Sequence, residues 1–200
     1  DMGADKIALL AKIEGVSFHF GNLCYVNYGA QVSSREKGAF GKAHLITDTP
    51  RGNSKPFFEG KDLGRYSINR RNLFLKYRPG EMYGPRSAEL FEAEKIVVRH
   101  ISGEGDSLVV TLDTEGFYCD HGLVLATFYE NIADTGLLEK FDGVDKWERG
   151  EYRLSYLVSL VGSRLQGYFY RHRFATGSLQ GSFSHVYPQH VRNLRIRQIY

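Results

Sequence analysis

Hydrophobic positions recur along this chain in two rhythms. Between 151 and 171, Leu154, Leu157, Val161, Leu165 and Tyr168 repeat at three- and four-residue steps and predict an amphipathic helix, the longest in the chain. On such a helix Arg153, Arg164 and Arg171 fall within about 20° of one another along one flank. Gly162 and Gly167 interrupt it at a cost of up to about 1 kcal/mol each against alanine, which points to another element packed closely there. Elsewhere, short β-branched and aromatic runs between turn residues predict strands. They cover residues 18–32, 44–47, 95–101 and 123–129, with a strand pair across 66–77 that carries Arg70, Arg71 and Asn72 at its tip. Residues 108–112 and 116–118 read as a hairpin turned by Asp113-Thr114-Glu115-Gly116. Short helices are expected over 5–13 and 87–93, loops over 48–54 and 79–85, and an alternating tail at Leu194-Arg195-Ile196-Arg197. The pattern predicts a mixed α/β (α+β) fold in a single domain over 1–200. Its core is a mostly antiparallel, curved β-sheet with a few helices, the main one near 151–171. Residues 1–16 are expected to be a linker or helix from an upstream part.

Composition narrows the class. Hydrophobic residues at 42% and charged residues at 24% suffice for a buried core and exclude disorder. No apolar run approaches the roughly 18 residues of a membrane span. The chain starts Asp1-Met2-Gly3 without a signal peptide's layout or an initiating methionine, and is read as a piece of something longer. Cys24 and Cys119 are too few for a disulfide framework. They read as two small half-buried side chains in a reducing cytoplasm, with a single bridge between them left open. The histidines lack metal-ligand spacing.

Charge is more informative by segment than in total. The formal net charge is +3, but residues 1–99 sum to +5, residues 100–151 to −9, and residues 152–200 hold seven arginines and no acid. Two basic regions thus flank an acidic middle. Either the middle pairs with the ends in the folded domain, or a polyanion covers a basic face. Arginine favours the second reading, because its guanidinium forks onto phosphates and guanine edges. Tyr66, Tyr77 and Tyr83 interleave with the first basic stretch, as on surfaces that stack on bases.

Familiar catalytic signatures are missing. Neither a glycine-rich phosphate loop nor a Gly-x-Ser-x-Gly elbow occurs. Asp48 with Glu59-Gly60-Lys61 imitates the two carboxylates and lysine of a metal-dependent nuclease, although in a turn-rich setting.

Four segments carry a resemblance. Gly60-Lys61-Asp62-Leu63-Gly64-Arg65-Tyr66, Leu90 to Arg99 around Lys95-Ile96, Thr111 to Tyr118 around Asp113, and Tyr156 to Leu165 resemble, in order and spacing, the TaqI-like specificity domain. Gly162 stands where that family's helix motif carries asparagine, and Leu194-Arg195-Ile196 where it closes Leu-Pro-Ile. The resemblance implies a target-recognition module lying C-terminal to adenine-N6 DNA methyltransferases, including type IIG restriction–modification enzymes. The expected partners are double-stranded DNA and the methyltransferase domain of the same parent chain, with no membrane. No cofactor is expected in this chain; S-adenosylmethionine belongs to the methyltransferase part. Catalysis is not expected of these residues alone.

Base-reading residues differ between such modules, so the candidates rest on charge and turn placement. They are Lys55, Lys61, Arg65, Arg70, Arg71, Lys76, Arg78 and Arg86, then Arg171 and Arg173, with Asn69, Asn72 and Gln180 as possible adenine readers. Their loops are expected to converge into one cationic trough. Two alternatives remain at this level: the nuclease centred on Asp48, Glu59 and Lys61, and a protein-interaction or assembly module whose charges pair internally.

Overall fold

A strand buried on both faces reads as a near-continuous apolar run, and residues 123–128 are Leu-Val-Leu-Ala-Thr-Phe, with Thr127 the one polar side chain. The computed structural model, which describes residues 3–15, 17–33, 41–104, 107–138, 145–147, 149–175 and 183–197, places this run at the centre of the molecule. The strands are β1 (Ser17–His19), β2 (Cys24–Tyr28), β3 (Ile46–Thr47), β4 (Lys55–Phe58), β5 (Leu63–Gly64), β6 (Ser67–Ile68), β7 (Leu73–Leu75), β8 (Lys95–Arg99), β9 (Val110–Asp113), β10 (Tyr118–Cys119), β11 (Leu123–Phe128) and β12 (Arg195–Arg197). The helices are α1 (Ala4–Gly15), α2 (Phe20–Leu23), α3 (Lys42–Leu45), α4 (Ala88–Glu92), α5 (Leu154–Val161), α6 (Arg164–Arg173) and α7 (Pro188–Arg192). None of the described helices is long and apolar enough to cross a membrane.

The fold is a mixed α/β domain in three layers. The central sheet runs β2-β11-β8-β9, antiparallel throughout, with Val124 opposite both Tyr28 and Val98. Side chains alternate across it. Val26, Ile96, Val98, Val124 and Ala126 join Leu154, Leu157, Val161, Phe169 and Ile196 in a helix-covered core on one face. Tyr25, Val97, Leu123 and Leu125 join Phe57, Phe58, Leu75, Phe91 and Tyr118 in a second core on the other. The second core is closed by a sheet ordered β10-β4-β7-β3, in which only β10–β4 is parallel. Close approach at its edge depends on Gly29, where a Cβ would stand 2.2 Å from the Asp120 carbonyl oxygen.

Several expectations need correction. The 151–171 helix is two helices. Gly162 ends α5, and Ser163 leaves helical geometry so that its hydroxyl accepts the Gln166 N–H and caps α6. Arg153 is thereby separated from Arg164 and Arg171, which keep a common flank on α6. The close packing foreseen at Gly162 is present: a Cβ there would meet the Tyr66 hydroxyl at 2.5 Å. Residues 108–118 do not form a hairpin, because β9 pairs with β8 while β10 pairs with β4. The strands within 66–77 do not pair with each other either: β6 pairs with β5, and β7 lies between β4 and β3. The stretch expected as a strand at 44–47 begins in the helical turn α3, and the one at 18–32 is interrupted by α2.

Candidate nucleic-acid interface

The four motif segments meet one another. Lys95 on β8 is fully buried, and its ammonium lies 2.6 Å from the equally buried Asp113 carboxylate while also donating to the Phe91 carbonyl. Asp113 accepts in addition from the Glu115 and Phe117 N–H groups, which shapes the turn after β9. Phe91 stacks on Tyr118 with ring centroids 4.6 Å apart. Arg65 donates to the Gly162 carbonyl at 2.7 Å, and the Tyr66 N–H donates to Val110 at 2.8 Å. These residues therefore build a frame, on which exposed groups are mounted.

The exposed groups lie in residues 65–72, at the β9 edge and against the α5–α6 break. Buried Asp62 anchors this loop from below. Its carboxylate accepts the Glu59 N–H and two bonds from Arg71, while its carbonyl accepts the Asn69 N–H at 2.8 Å. Arg71 reaches Glu59 as well, and hydrogen bonds to the two carboxylates, Asp62 first, raise its pKa above the usual arginine range. Arg71 thus positions the loop. Tyr66 (φ +61°) and Asn72 (φ +47°) hold left-handed backbone that non-glycine residues rarely adopt, at a cost of about 1–2 kcal/mol each. Arg65, Asn69, Arg70 and Asn72 are exposed at the tip. Arg70 pairs with Glu115 over the Phe117 ring, but both partners are more than half exposed, and such pairs contribute only about 0–1 kcal/mol. A phosphate can compete for that guanidinium.

The other basic candidates lie elsewhere. Lys61 pairs with Glu59 at 3.3 Å, close to the loop's base. Lys76 and Arg78 stand at the opposite end of β4 and β7, about 13 Å away along the strands. There they line a cleft of about 470 Å³ with Arg51 and Asn53. Arg78 also pairs with Glu81, and Lys76 donates to the His44 carbonyl. Lys55 is held between Glu92 and the Tyr118 ring. Arg86 sits at φ +61°, with its Nε buried and its carbonyl accepting from Tyr77. Arg173 pairs with Glu14 at 2.7 Å, and Arg171 lies in the last turn of α6. Gln180 falls outside the described residues. The structure therefore replaces one expected trough by two groups at opposite ends of a sheet. Arg51 and Asn53 were missed as candidates, although the loop signals over 48–54 mark where they sit.

Of the two alternatives, the nuclease residues are spread apart, while the internal charge pairing is met in part. Asp48 follows β3, which β7 separates from β4, so two strand spacings of about 4.8 Å part it from the β4–Glu59 line. Glu59 is held by Arg71 and Lys61. No cluster of three His, Cys, Asp or Glu suited to a metal occurs among the described residues. The acidic middle does reach the first basic region through Asp113–Lys95 and Glu115–Arg70. Arg173 finds its acid in α1 instead. Cys24 and Cys119 are both buried free thiols, and burial pushes their pKa values well up.

Burial, the leading cause, also lowers His19, His100 and His190 below the ordinary 6.5; Arg195 adds to this at His19, and His185 with His121 at His100. Below about pH 6.5 the unfolded chain binds protons that the folded one refuses, so the linkage makes stability fall on acidification. Calorimetry is expected to show a flat melting temperature above about pH 7.5 and a decline from there to about pH 5.5. A midpoint that rises on acidification contradicts this.

Comparison with known proteins gives a family match. Residues 55–196 match the model of the TaqI-like C-terminal specificity domain. Among solved structures the chain is similar to the HsdS subunit from Thermoanaerobacter tengcongensis, at 10% identity and a TM-score of 0.46. The similarity covers 96% of this chain and 38% of that one, so the chain spans well under half of that subunit. No curated protein matches the chain.

Proposed function

This chain belongs to the TaqI-like C-terminal specificity domain family, and we propose that it reads a duplex DNA sequence for a site-specific adenine-N6 DNA methyltransferase or a fused type II restriction–modification protein. The observation that carries this reading is loop 65–72: exposed arginine and asparagine side chains on strained backbone, fixed from beneath by the pairing of Arg71 with buried Asp62. Arginine and asparagine make the bidentate contacts to guanine and adenine edges, and a rigid mount keeps their ordering cost low. We assign Lys76, Arg78, Arg51 and Lys61 the part of phosphate contacts that set orientation without reading sequence. These 200 residues hold no glycine-rich loop of the kind that cradles a nucleotide cofactor. In this reading S-adenosylmethionine and the methyl transfer belong to the methyltransferase part of the parent, acting on cytoplasmic DNA.

Fluorescence anisotropy with a labelled duplex tests the reading, using the full-length protein between 50 and 200 mM salt. The expected slope of log affinity against log salt is about −0.9 for each phosphate contact, or roughly −3 to −4 for the four cations named. Absence of binding at the low-salt end, or a slope near zero, counts against it.

A further inference from the structure

At the Glu59–Lys61 turn lies a cleft of about 540 Å³, and Lys61 is the one basic candidate on its lining. Its size is that of small-molecule sites. Phe183 and Ile101, at 58% and 45% exposure, are large apolar side chains lining it. The backbone that carries them is tied together, because Ile101 bridges to His185 and Ser102 and Ser184 exchange two hydrogen bonds of 2.9 and 3.0 Å. The His185 ring packs edge-on to His100 at 5.1 Å and nearly parallel to Tyr187, which steadies a flat surface on that wall. Opposite, the Asp120 carboxylate is oriented by the Gly60 and Gly122 N–H groups, each 3.2 Å away, and Lys61 stands largely exposed.

Apolar rims, a fixed carboxylate acceptor and an ammonium at the mouth together match one ligand chemistry, a flat heteroaromatic ring bearing an amino group and attached to a phosphate. Resting on the reading that this chain binds DNA, we propose that the cleft receives a single unstacked nucleobase. Phe183 and His185 stack on it, Asp120 accepts from its exocyclic amine, and Lys61 meets its phosphate. A base outside the helix exposes a whole face and its pairing edge, neither of which a groove contact can reach. Adenine, cytosine and guanine carry that amine and thymine does not, so the cleft discriminates against thymine.

The test titrates the full-length protein with the four deoxynucleoside monophosphates and with inorganic phosphate, followed by NMR, alongside Phe183→Ala and Ile101→Trp. The tryptophan fills the cleft from an exposed position, and circular dichroism checks its fold. Amine-bearing nucleotides are expected to bind more tightly than thymidine monophosphate or phosphate. Phe183→Ala is expected to weaken them roughly five- to 160-fold, the range for loss of one stacking ring. Ile101→Trp is expected to abolish binding. Nucleotides that bind no better than phosphate overturn the proposal, as does affinity unchanged in Phe183→Ala. Duplex binding, measured in parallel by anisotropy, separates the two readings. A wild-type protein that binds duplex but not the nucleotides refutes the cleft alone, and one that binds no duplex refutes the DNA-reading function as well.

Discussion

Replacing Lys95 with alanine is expected to remove about 3–5 kcal/mol of folding stability, the cost of leaving one member of a buried ion pair unpaired. Asp113 would then be left in a site of 1% exposure without its cation, with the Glu115 and Phe117 N–H groups as its remaining donors. The Phe91 carbonyl at the end of α4 would lose its donor too. With a urea dependence of about 2 kcal/mol per molar, the denaturation midpoint should fall by roughly 1.5–2.5 M. The pair joins β8 to the turn after β9, so its loss should also loosen the aromatic stack of Phe91 on Tyr118. A midpoint that moves by only a few tenths of a molar would mean that the pair is hydrated and that the motif lysine is not part of the frame.

The second large effect concerns binding. Arg65→Ala combined with Arg70→Ala is expected to cost about 1–3 kcal/mol in duplex affinity for each arginine that reads a base, and to flatten the salt slope by about 0.9 for each that meets a phosphate. Stability should change little, because Arg70 spends its charge on an exposed pair and Arg65 makes one bond to a carbonyl. Arg71→Ala makes the contrast. It leaves Asp62 buried without its guanidinium, so both the melting temperature and the affinity should drop. Anisotropy and thermal melts on the same samples separate the two behaviours. Equal loss of stability in all three variants would make the whole loop structural.

Much of this architecture is legible in the chain, for identifiable reasons. Strand β11 shows as a near-continuous apolar run, broken by Thr127 alone, because the helical layer and the second sheet both cover it. The stripe of Leu154, Leu157 and Val161 correctly marks the buried side of α5. What periodicity could not reveal is pairing between distant segments. The turn at Asp113 suggests a local hairpin, yet its carboxylate serves Lys95 and the chain runs on to pair β10 with β4. Ser163 breaks the long helix through one capping bond, a detail smaller than the hydrophobic stripe around it.

The candidate interface follows the same division. Sequence shows which residues are basic but not which carboxylate each one meets. Arg71 looks like Arg70 until Asp62 and Glu59 fold beneath it. Arg51 and Asn53 join Lys76 and Arg78 only because β4 and β7 are antiparallel neighbours. Most of the four motif segments, matched in order, prove to be frame; Arg65, at the end of the first, turns outward with Asn69, Arg70 and Asn72, and these exposed side chains are where a specificity domain has room to differ.

Selection from a pool of randomised duplexes tests the central claim most directly. Wild-type full-length protein should enrich one sequence, and Asn69→Ala and Arg70→Ala should each relax it at one or two positions while leaving the others intact, since each lost base contact is worth about 1–3 kcal/mol of discrimination. An identical enriched sequence from all three proteins, or no enrichment by the wild type, would contradict the account of loop 65–72 as the part that reads DNA.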